Sequence, residues 1–321
     1  MTDTRNMIAE TAERLFAAHL DSAVMDAAEA GTWPAALWDE IAANGLDRVL
    51  VPAEQDGIGG DWEDAFVILA AAGRHAAPVP LAETIGAGWL LARAGLDVPA
   101  GPLSLADDRA RVPWARQAVQ VLLSADEGCF TVHDIAAMGI TPDRNVGRDP
   151  RDGITLSEDG TAHAGDVGMI GALVRSCQMA GAIAEVLALC VTYAGERVQF
   201  GRPIGKFQAI QQQLAVLAGE TAAAEMAARN ACRALDRGDD VMFAVASAKI
   251  RTGEAAGKAA AISHQVFGAI GFTDEHHLHY LTRRLWSWRA EFGAERVWAE
   301  RLGRALAAQG ADQLWPALTA R

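Results

Sequence analysis

The stretch from Met169 to Ala194 is the most apolar segment of the chain, and it limits the folds open to the rest. A segment of this length and hydropathy either spans a membrane or forms the centre of a helical bundle. Three polar residues, Arg175, Gln178 and Glu185, interrupt it and do not suit a lipid bilayer. We therefore expect a helix that is buried in a protein core, with other helices packed around it, and no membrane span.

Three further segments with helical periodicity follow, at about 207–235, 241–267 and 273–288. In the first of them apolar residues recur every three or four positions, as on one face of an α-helix, and capping or acidic residues mark the starts of the other two. Together with the apolar segment, they predict a four-helix bundle that forms a C-terminal domain over residues 166–321.

Residues 1–100 predict an N-terminal domain of short helices. The period of apolar residues indicates a first helix that continues to about Met25, and Asp61 is expected to cap a helix that ends near Gly73. From residue 101 to residue 165 the apolar runs are short and alternate with turns, which is typical of strands. The predicted fold class is therefore mainly α with a small antiparallel β domain, in the order helices, sheet, four-helix bundle.

The chain carries a formal net charge of −13 over 321 residues, which argues against a nucleic-acid partner. The charge is unevenly distributed: residues 1–100 hold 16 acidic and 5 basic residues, whereas residues 166–321 hold 15 and 17. The four cysteines lie far apart in the sequence, and the N-terminus has no signal-peptide pattern. We expect free thiols and a cytoplasmic protein.

A cluster of polar residues and glycines lies between the first two helices of the predicted bundle. From Arg197 to Gln211 it runs Arg-Val-Gln-Phe-Gly-Arg-Pro-Ile-Gly-Lys-Phe-Gln-Ala-Ile-Gln. An arginine at the end of a helix, followed by a turn that contains glycine, is suited to bind a phosphate or a pyrophosphate. An ordinary link between two helices has the same composition, and composition alone favours that simpler interpretation.

This segment resembles the signature of the acyl-CoA dehydrogenase family between the first two helices of its C-terminal bundle. A second segment, Gln265 to Thr273, is similar to the family pattern Gln-x-x-Gly-Gly-x-Gly-Phe, with Ala269 in place of the second glycine. A third, Gly45 to Gly60, more loosely resembles the family's Gly-Leu to Val-Pro-Glu-x-x-Gly-Gly-x-Gly segment. The order of helices, sheet and helices is also that of the family.

Members of this family use FAD to remove two hydrogens from an acyl-CoA thioester, which gives the trans-2-enoyl-CoA. The resemblance implies that Arg197 contacts the FAD pyrophosphate of a neighbouring subunit, and it implies FAD contacts for seven further residues. These are Gln199, Phe200, Ile204 and Phe207 along the same cofactor, and Gln265, Gly268 and Ala269 beside its adenosine half. The implied partners are an acyl-CoA substrate and an electron-transfer flavoprotein.

The chain departs from the family pattern at the flavin ring and at the catalytic base. Residues 101–165 contain neither of the family's flavin-ring segments. The reaction also needs a carboxylate of raised pKa to remove the α-proton. One family position for it falls near Gly171, where there is no acid, and the other lies in a turn in which Gly293 aligns. Glu291, one residue from that second position, is the only candidate catalytic base; the alternative for it is a solvated acid at a helix end.

A short chain with a reduced middle domain resembles the smaller subunit of heteromeric acyl-CoA dehydrogenases, notably those that act on steroid side-chain CoA esters. We therefore expect an FAD-dependent acyl-CoA dehydrogenase subunit of a homo- or hetero-oligomer, with a role in fatty-acid or steroid side-chain β-oxidation. The alternative is a catalytically silent structural subunit that completes the FAD site of a larger homologous partner. A helical CoA- or flavin-binding module with no redox role is disfavoured, because the two bundle motifs occur together at family spacing.

Two other clusters on the last predicted bundle helix suggest different chemistry. His276 and His279 share a helix face, as metal ligands do, but no further ligand is visible and we expect no metal site. Arg283, Arg284 and Arg289 are interleaved with tryptophans and are suited to bind CoA phosphates or to stack on adenine. A packed interface helix explains the same residues equally well.

Overall fold

The computed structural model describes residues 3–126 and 128–319, and helices account for most of them. The N-terminal helices are α1 (Asp3–His19), α2 (Ser22–Ala30), α3 (Ala35–Ala43), α4 (Trp62–Arg74) and α5 (Leu81–Arg93). The C-terminal helices are α6 (Val167–Glu196), α7 (Gln208–Arg237), α8 (Val241–Phe267), α9 (Leu278–Ala290), α10 (Glu295–Ala308) and α11 (Ala311–Thr319). Short strands lie between the two groups, so the predicted fold class is confirmed.

The strands between the two helical groups form two small sheets. They are β1 (Leu103–Ala106), β2 (Val112–Pro113), β3 (Gln120–Ser124), β4 (Cys129–Asp134), β5 (Gly139–Thr141), β6 (Arg151–Thr155) and β7 (Ala162–Ala164). One sheet has the order β1-β3-β4-β7 and the other has the order β2-β6-β5. The pairing is antiparallel as predicted except between β1 and β3, which run parallel. A separate hairpin of β8 (Val198–Gln199) and β9 (Arg202–Pro203) links α6 to α7.

Helix α6 lies at the centre of the structure, where it packs against α4, α5, α7, α8 and α9. Its length and hydropathy are those of a membrane-crossing helix, yet 56% of its most apolar window is buried inside the protein. Arg175 and Gln178, two of the three polar residues that interrupt the apolar run, are buried as well, and Glu185 is partly exposed. The prediction of a buried bundle helix is therefore confirmed, and α6 carries a charge into the core.

Side chains that cap helix starts explain one helix boundary that the sequence predicts correctly and one that it does not. Asp61 caps α4 as expected, because its carboxylate accepts a 2.8 Å hydrogen bond from the amide of Asp64. The expected continuous first helix is wrong: Asp21 accepts a hydrogen bond from Val24 N at 2.8 Å and starts a separate helix, α2.

The predicted start of α9 is also wrong. Residues 268–272 form a 3-10 helix, and α9 begins at Leu278 and not near Thr273. The imidazole of His276 accepts a 3.1 Å hydrogen bond from Leu278 N, so a histidine satisfies one of the free amides at this helix start. Helices α10 and α11 follow the four helices that the sequence pattern predicts.

Glycines allow α4 and α6 to cross at very short distance. A Cβ atom on Gly181 would lie 1.9 Å from the carbonyl oxygen of Ala70, and one on Gly73 would lie 2.0 Å from that of Gln178. Because backbone faces backbone at both glycines, neither contact can be relieved by moving a side chain.

We expect Gly181→Ala to destabilise the protein by about 1–3 kcal/mol, because the added methyl group forces the two backbones apart. Gly195→Ala is the matched control on the same helix, since nothing lies within 4 Å of its added Cβ. That control should be neutral or stabilise by up to roughly 1 kcal/mol, because alanine favours a helix. Urea unfolding followed by circular dichroism measures both, and equal effects would contradict the close crossing.

Candidate functional site

The eight residues for which the family resemblance implies FAD contacts line one cavity. This first cavity has a volume of about 620 Å³, within the range of ordinary ligand sites. It lies where the hairpin β8–β9 meets the end of α8. Its predicted lining residues are Arg197, Gln199, Phe200, Ile204, Phe207, Gln265, Gly268 and Ala269. Two segments about 60 residues apart in the chain thus meet at a single site.

The hairpin side of the first cavity is fixed by the backbone of Arg197. Its amide donates to Tyr193 O at 2.8 Å, and its carbonyl accepts a 2.8 Å hydrogen bond from the amide of Ile204. Arg197 therefore ends α6, and its side chain is exposed at the cavity. Within residues 3–126 and 128–319, its guanidinium group makes no ion pair. Phe200, at the hairpin tip, has a φ of 50° and is 91% exposed.

The α8 side of the first cavity is held by aromatic stacking. Phe267 stacks on Tyr193 with ring centroids 4.3 Å apart, so the end of α8 is tied to α6. Gly268 has φ 63° and ψ −138°, a conformation that is essentially limited to glycine, and there the chain leaves the helix. Sequence reasoning missed five lining residues: Tyr193, Ile210, Val266, Phe267 and Ile270. Four of them lie inside the two motif segments, and Tyr193 lies one helical turn before Arg197 on α6, so position in or beside a motif is the signal that finds them.

Glu291 lies at a second cavity, of about 440 Å³, between the loops of the strand region and the end of α9. Its carboxylate accepts hydrogen bonds from Arg151 at 2.8 and 2.9 Å, from Arg175 at 2.7 Å and from Asn145 at 3.1 Å. Only 17% of its side chain is exposed. Arg175 also pairs with the buried Glu83 on α5.

These contacts stabilise the charged form of Glu291. Burial by itself would raise the pKa of Glu291, but the charges of Arg151 and Arg175 outweigh burial and hold that pKa well below its ordinary value. The expectation of a raised pKa is therefore wrong, and so is the alternative of a solvated acid. The carboxylate is a counter-ion shared by two buried arginines.

The resemblance puts the catalytic base either near Gly171 or, counting back one residue from Gly293, at Phe292; these two residues are in contact, and neither is an acid. Phe292, next to Glu291, is 5% exposed, and a Cβ atom on Gly171 would lie 2.3 Å from its ring. The ring thus covers Gly171 on α6. An apolar contact, which we call the Phe292–Gly171 contact, fills the place where the family resemblance would put a carboxylate.

The arginines of α9 are bound within the protein. Arg283 donates to Glu29 at 2.7 Å, Arg284 donates to Asp149 at 2.9 Å, and Arg289 pairs with Glu295. The structure therefore favours the packed helix over a CoA phosphate site for them. The histidines of this region contribute no metal cluster: among the described residues there is no group of three metal-ligating side chains.

Comparisons with known proteins agree with this architecture. Residues 2–97 match the N-terminal domain of acyl-CoA dehydrogenases, and residues 159–307 match their C-terminal domain. Acyl-CoA dehydrogenase IpdE2 of Mycobacterium tuberculosis is 30% identical over 304 residues, which cover 88% of this chain and 91% of that protein. The IpdE2 protein of Mycolicibacterium smegmatis is 27% identical over 296 residues, covering 88% of this chain and 93% of that protein.

A solved structure shows the same fold. The crystal structure of the ChsE4-ChsE5 complex from Mycobacterium tuberculosis has a TM-score of 0.87 at 20% identity, covering 96% of this chain and 98% of that chain. Fold, domain matches and the full-length relative agree, and the chain belongs to the acyl-CoA dehydrogenase family of oxidoreductases.

Proposed function

We propose that this chain forms one half of an FAD site that it shares with a longer, homologous acyl-CoA dehydrogenase subunit. In the assembled enzyme an acyl-CoA thioester is dehydrogenated between its α and β carbons, and an electron-transfer flavoprotein takes up the electrons. One observation carries the proposal: eight residues from two distant segments line a single open cavity with an arginine at its edge. The first cavity would hold the pyrophosphate and adenosine part of FAD.

The residues of the first cavity suit that part of the cofactor. A guanidinium group binds a pyrophosphate through two parallel hydrogen bonds, and Arg197 is exposed for this purpose. Phe207 and Tyr193 offer apolar surface beside it, and Gly268 leaves open space for a close approach. When bound, FAD supplies the acceptor for the hydride from the β-carbon of the thioester.

Exposed apolar residues at the rim of the first cavity support a partner subunit. Val198 is 58% exposed, Phe200 91%, Ile270 36% and Phe272 72%. Large apolar side chains clustered around an open site are typical of a surface that a second protein covers. A partner at this rim would complete the wall that the first cavity lacks.

The second half of the active site would come from the partner. Glu291 is held as a counter-ion, and the Phe292–Gly171 contact leaves no acid at the other family position. The strand region lacks the family's flavin-ring segments. We propose that the partner supplies the ring contacts and the base that removes the α-proton, while this chain supplies cofactor affinity. A cytoplasmic location suits the four free cysteines.

We expect the full chain, purified alone, to bind less than stoichiometric FAD and the complex with its longer homologue to bind FAD fully. Arg197→Gln should weaken FAD binding by the complex about 30-fold, since a charge-assisted contact is worth roughly 2 kcal/mol. Arg237→Gln, at the far end of α7, is the control and should leave the affinity unchanged. Flavin absorbance and fluorescence titration give both values. Full FAD content and bleaching by acyl-CoA in the isolated chain would refute the shared site.

We expect Glu291→Gln to lower the free energy of unfolding by about 3 kcal/mol at pH 7, because two buried guanidinium groups lose their shared counter-charge. The folded pKa of Glu291 lies below its unfolded value, near 4.5, so its contribution is present above pH 4.5 and is lost as the pH falls. The substitution should therefore flatten the acid side of the stability profile.

Urea unfolding between pH 7 and pH 3.5 measures this effect. Glu300→Gln is the control, because its pair with Arg304 is exposed on both sides. That control should change stability by less than about 0.5 kcal/mol. A Glu291→Gln protein of unchanged stability whose assembled enzyme has lost its activity would instead identify Glu291 as the base.

A further inference from the structure

A buried lysine of α8 holds the turn between α9 and α10, residues 291–294. Lys249 has no exposed surface, and its ammonium group donates 2.8 Å hydrogen bonds to the carbonyl oxygens of Arg289 and Gly293. Carbonyls at the end of a helix have no partner within the helix and carry its negative dipole. The ammonium group of Lys249 thus hydrogen-bonds one carbonyl just before the turn and one within it.

The turn needs such support because its backbone is strained. Phe292 has a φ of 53° and Gly293 a φ of 88°. The left-handed conformation costs a bulky residue on the order of 1–2 kcal/mol. The indole of Trp298 donates to the Phe292 carbonyl at 2.8 Å, so a second buried donor holds the strained residue itself.

Helix α8 is also shaped to receive the turn. Gly253 and Gly257 follow Lys249 at intervals of four residues and lie on the same helix face. A Cβ atom on Gly253 would lie 2.2 Å from the Glu295 carboxylate, and one on Gly257 would lie 3.0 Å from the guanidinium group of Arg289. The Arg289–Glu295 ion pair therefore crosses α8 over two glycines, next to the lysine that holds the turn.

We propose that Lys249 is a positioning residue, which keeps the α9–α10 turn in the conformation that places the Phe292 ring over Gly171. The Phe292–Gly171 contact is then a seal over the position where the family keeps its carboxylate. The consequence for the enzyme rests on the proposed function: with this position sealed, acyl-CoA is dehydrogenated at the partner's half of the site. The claim about Lys249 itself requires neither FAD nor the partner.

The charges around Lys249 come from every element packed near it. Glu295 on α10, Glu291 in the turn and Asp107 after β1 favour its charged form, whereas Arg175 on α6 opposes it. Burial is the largest influence and lowers the pKa of Lys249 to about 8. The ammonium group is present below this pH and is lost above it. Raising the pH through 8 therefore replaces two charge-assisted hydrogen bonds with weaker neutral ones.

Hydrogen exchange in the peptide 289–298 of the full-length chain tests the proposal. We expect wild-type exchange, corrected for the intrinsic effect of pH, to become about tenfold faster between pH 7 and pH 9. Lys249→Met should exchange fast at both values and show no step, and Lys249→Arg should restore part of the protection at pH 7. Lys258→Met is the control: it removes an exposed lysine of the same helix and should behave as wild type.

Three results would overturn the proposal. One is wild-type protection of the peptide 289–298 in Lys249→Met. Another is faster exchange of Lys249→Met throughout the chain, including residues 62–74 of α4, which would mark a general loss of stability. The third is a wild-type peptide 289–298 without a step near pH 8, which decides the question even if Lys249→Met does not fold. The measurement uses no FAD, so a failure of the shared cofactor site leaves its result standing.

Discussion

A chain of four buried charges connects the three parts of the structure. Glu83 on α5 pairs with Arg175 on α6, and Glu291, in the α9–α10 turn, pairs with both Arg175 and Arg151 on β6. Arg151 and Arg175 are no more than 2% exposed. The pairs join α5, α6, the turn and the strands, and removing one member leaves an uncompensated charge in the core. The apolar contacts around them supply most of the stability, but they do not define one arrangement as strictly.

The same charge chain decides what chemistry the centre of the molecule performs. Two guanidinium groups lower the pKa of the Glu291 carboxylate and make it a weaker base, and the neighbouring ring of Phe292 occupies the space over Gly171. Pairing with two buried arginines and accepting an α-proton therefore place opposite demands on the pKa of Glu291. The first cavity is the opposite case: it is open, its arginine has no partner within the described residues, and its rim is apolar. Arg175, which is paired within the chain, lies in the first half of α6, whereas Arg197, which makes no ion pair within the described residues, lies at its C-terminal end.

Local signals in the sequence were enough for much of this architecture, and long-range contacts explain the rest. The cap at Asp61 and the apolar period of α6 are read from adjacent residues, and the structure confirms both. The family resemblance likewise pointed to eight residues that line one cavity. The pairing of Glu291 could not be predicted from the sequence, because its partners Arg151 and Arg175 lie 140 and 116 residues away in the chain. The start of α9 was mispredicted because acids at 274 and 275 resemble a helix start, whereas the His276 side chain performs that function.

The surplus of arginine in the last part of the chain also acquires a different meaning. Sequence alone links it to phosphate-bearing ligands, yet Arg283, Arg284 and Arg289 pair with acids of this chain. Two of those acids, Glu29 and Asp149, lie outside the C-terminal helices. Arg283 and Arg284 of the C-terminal part therefore neutralise acids of the more acidic remainder of the chain across their contact surface. An arginine that makes no ion pair within the described residues and lies at an open cavity, as Arg197 does, is better suited to a phosphate ligand than arginines that are already paired with acids.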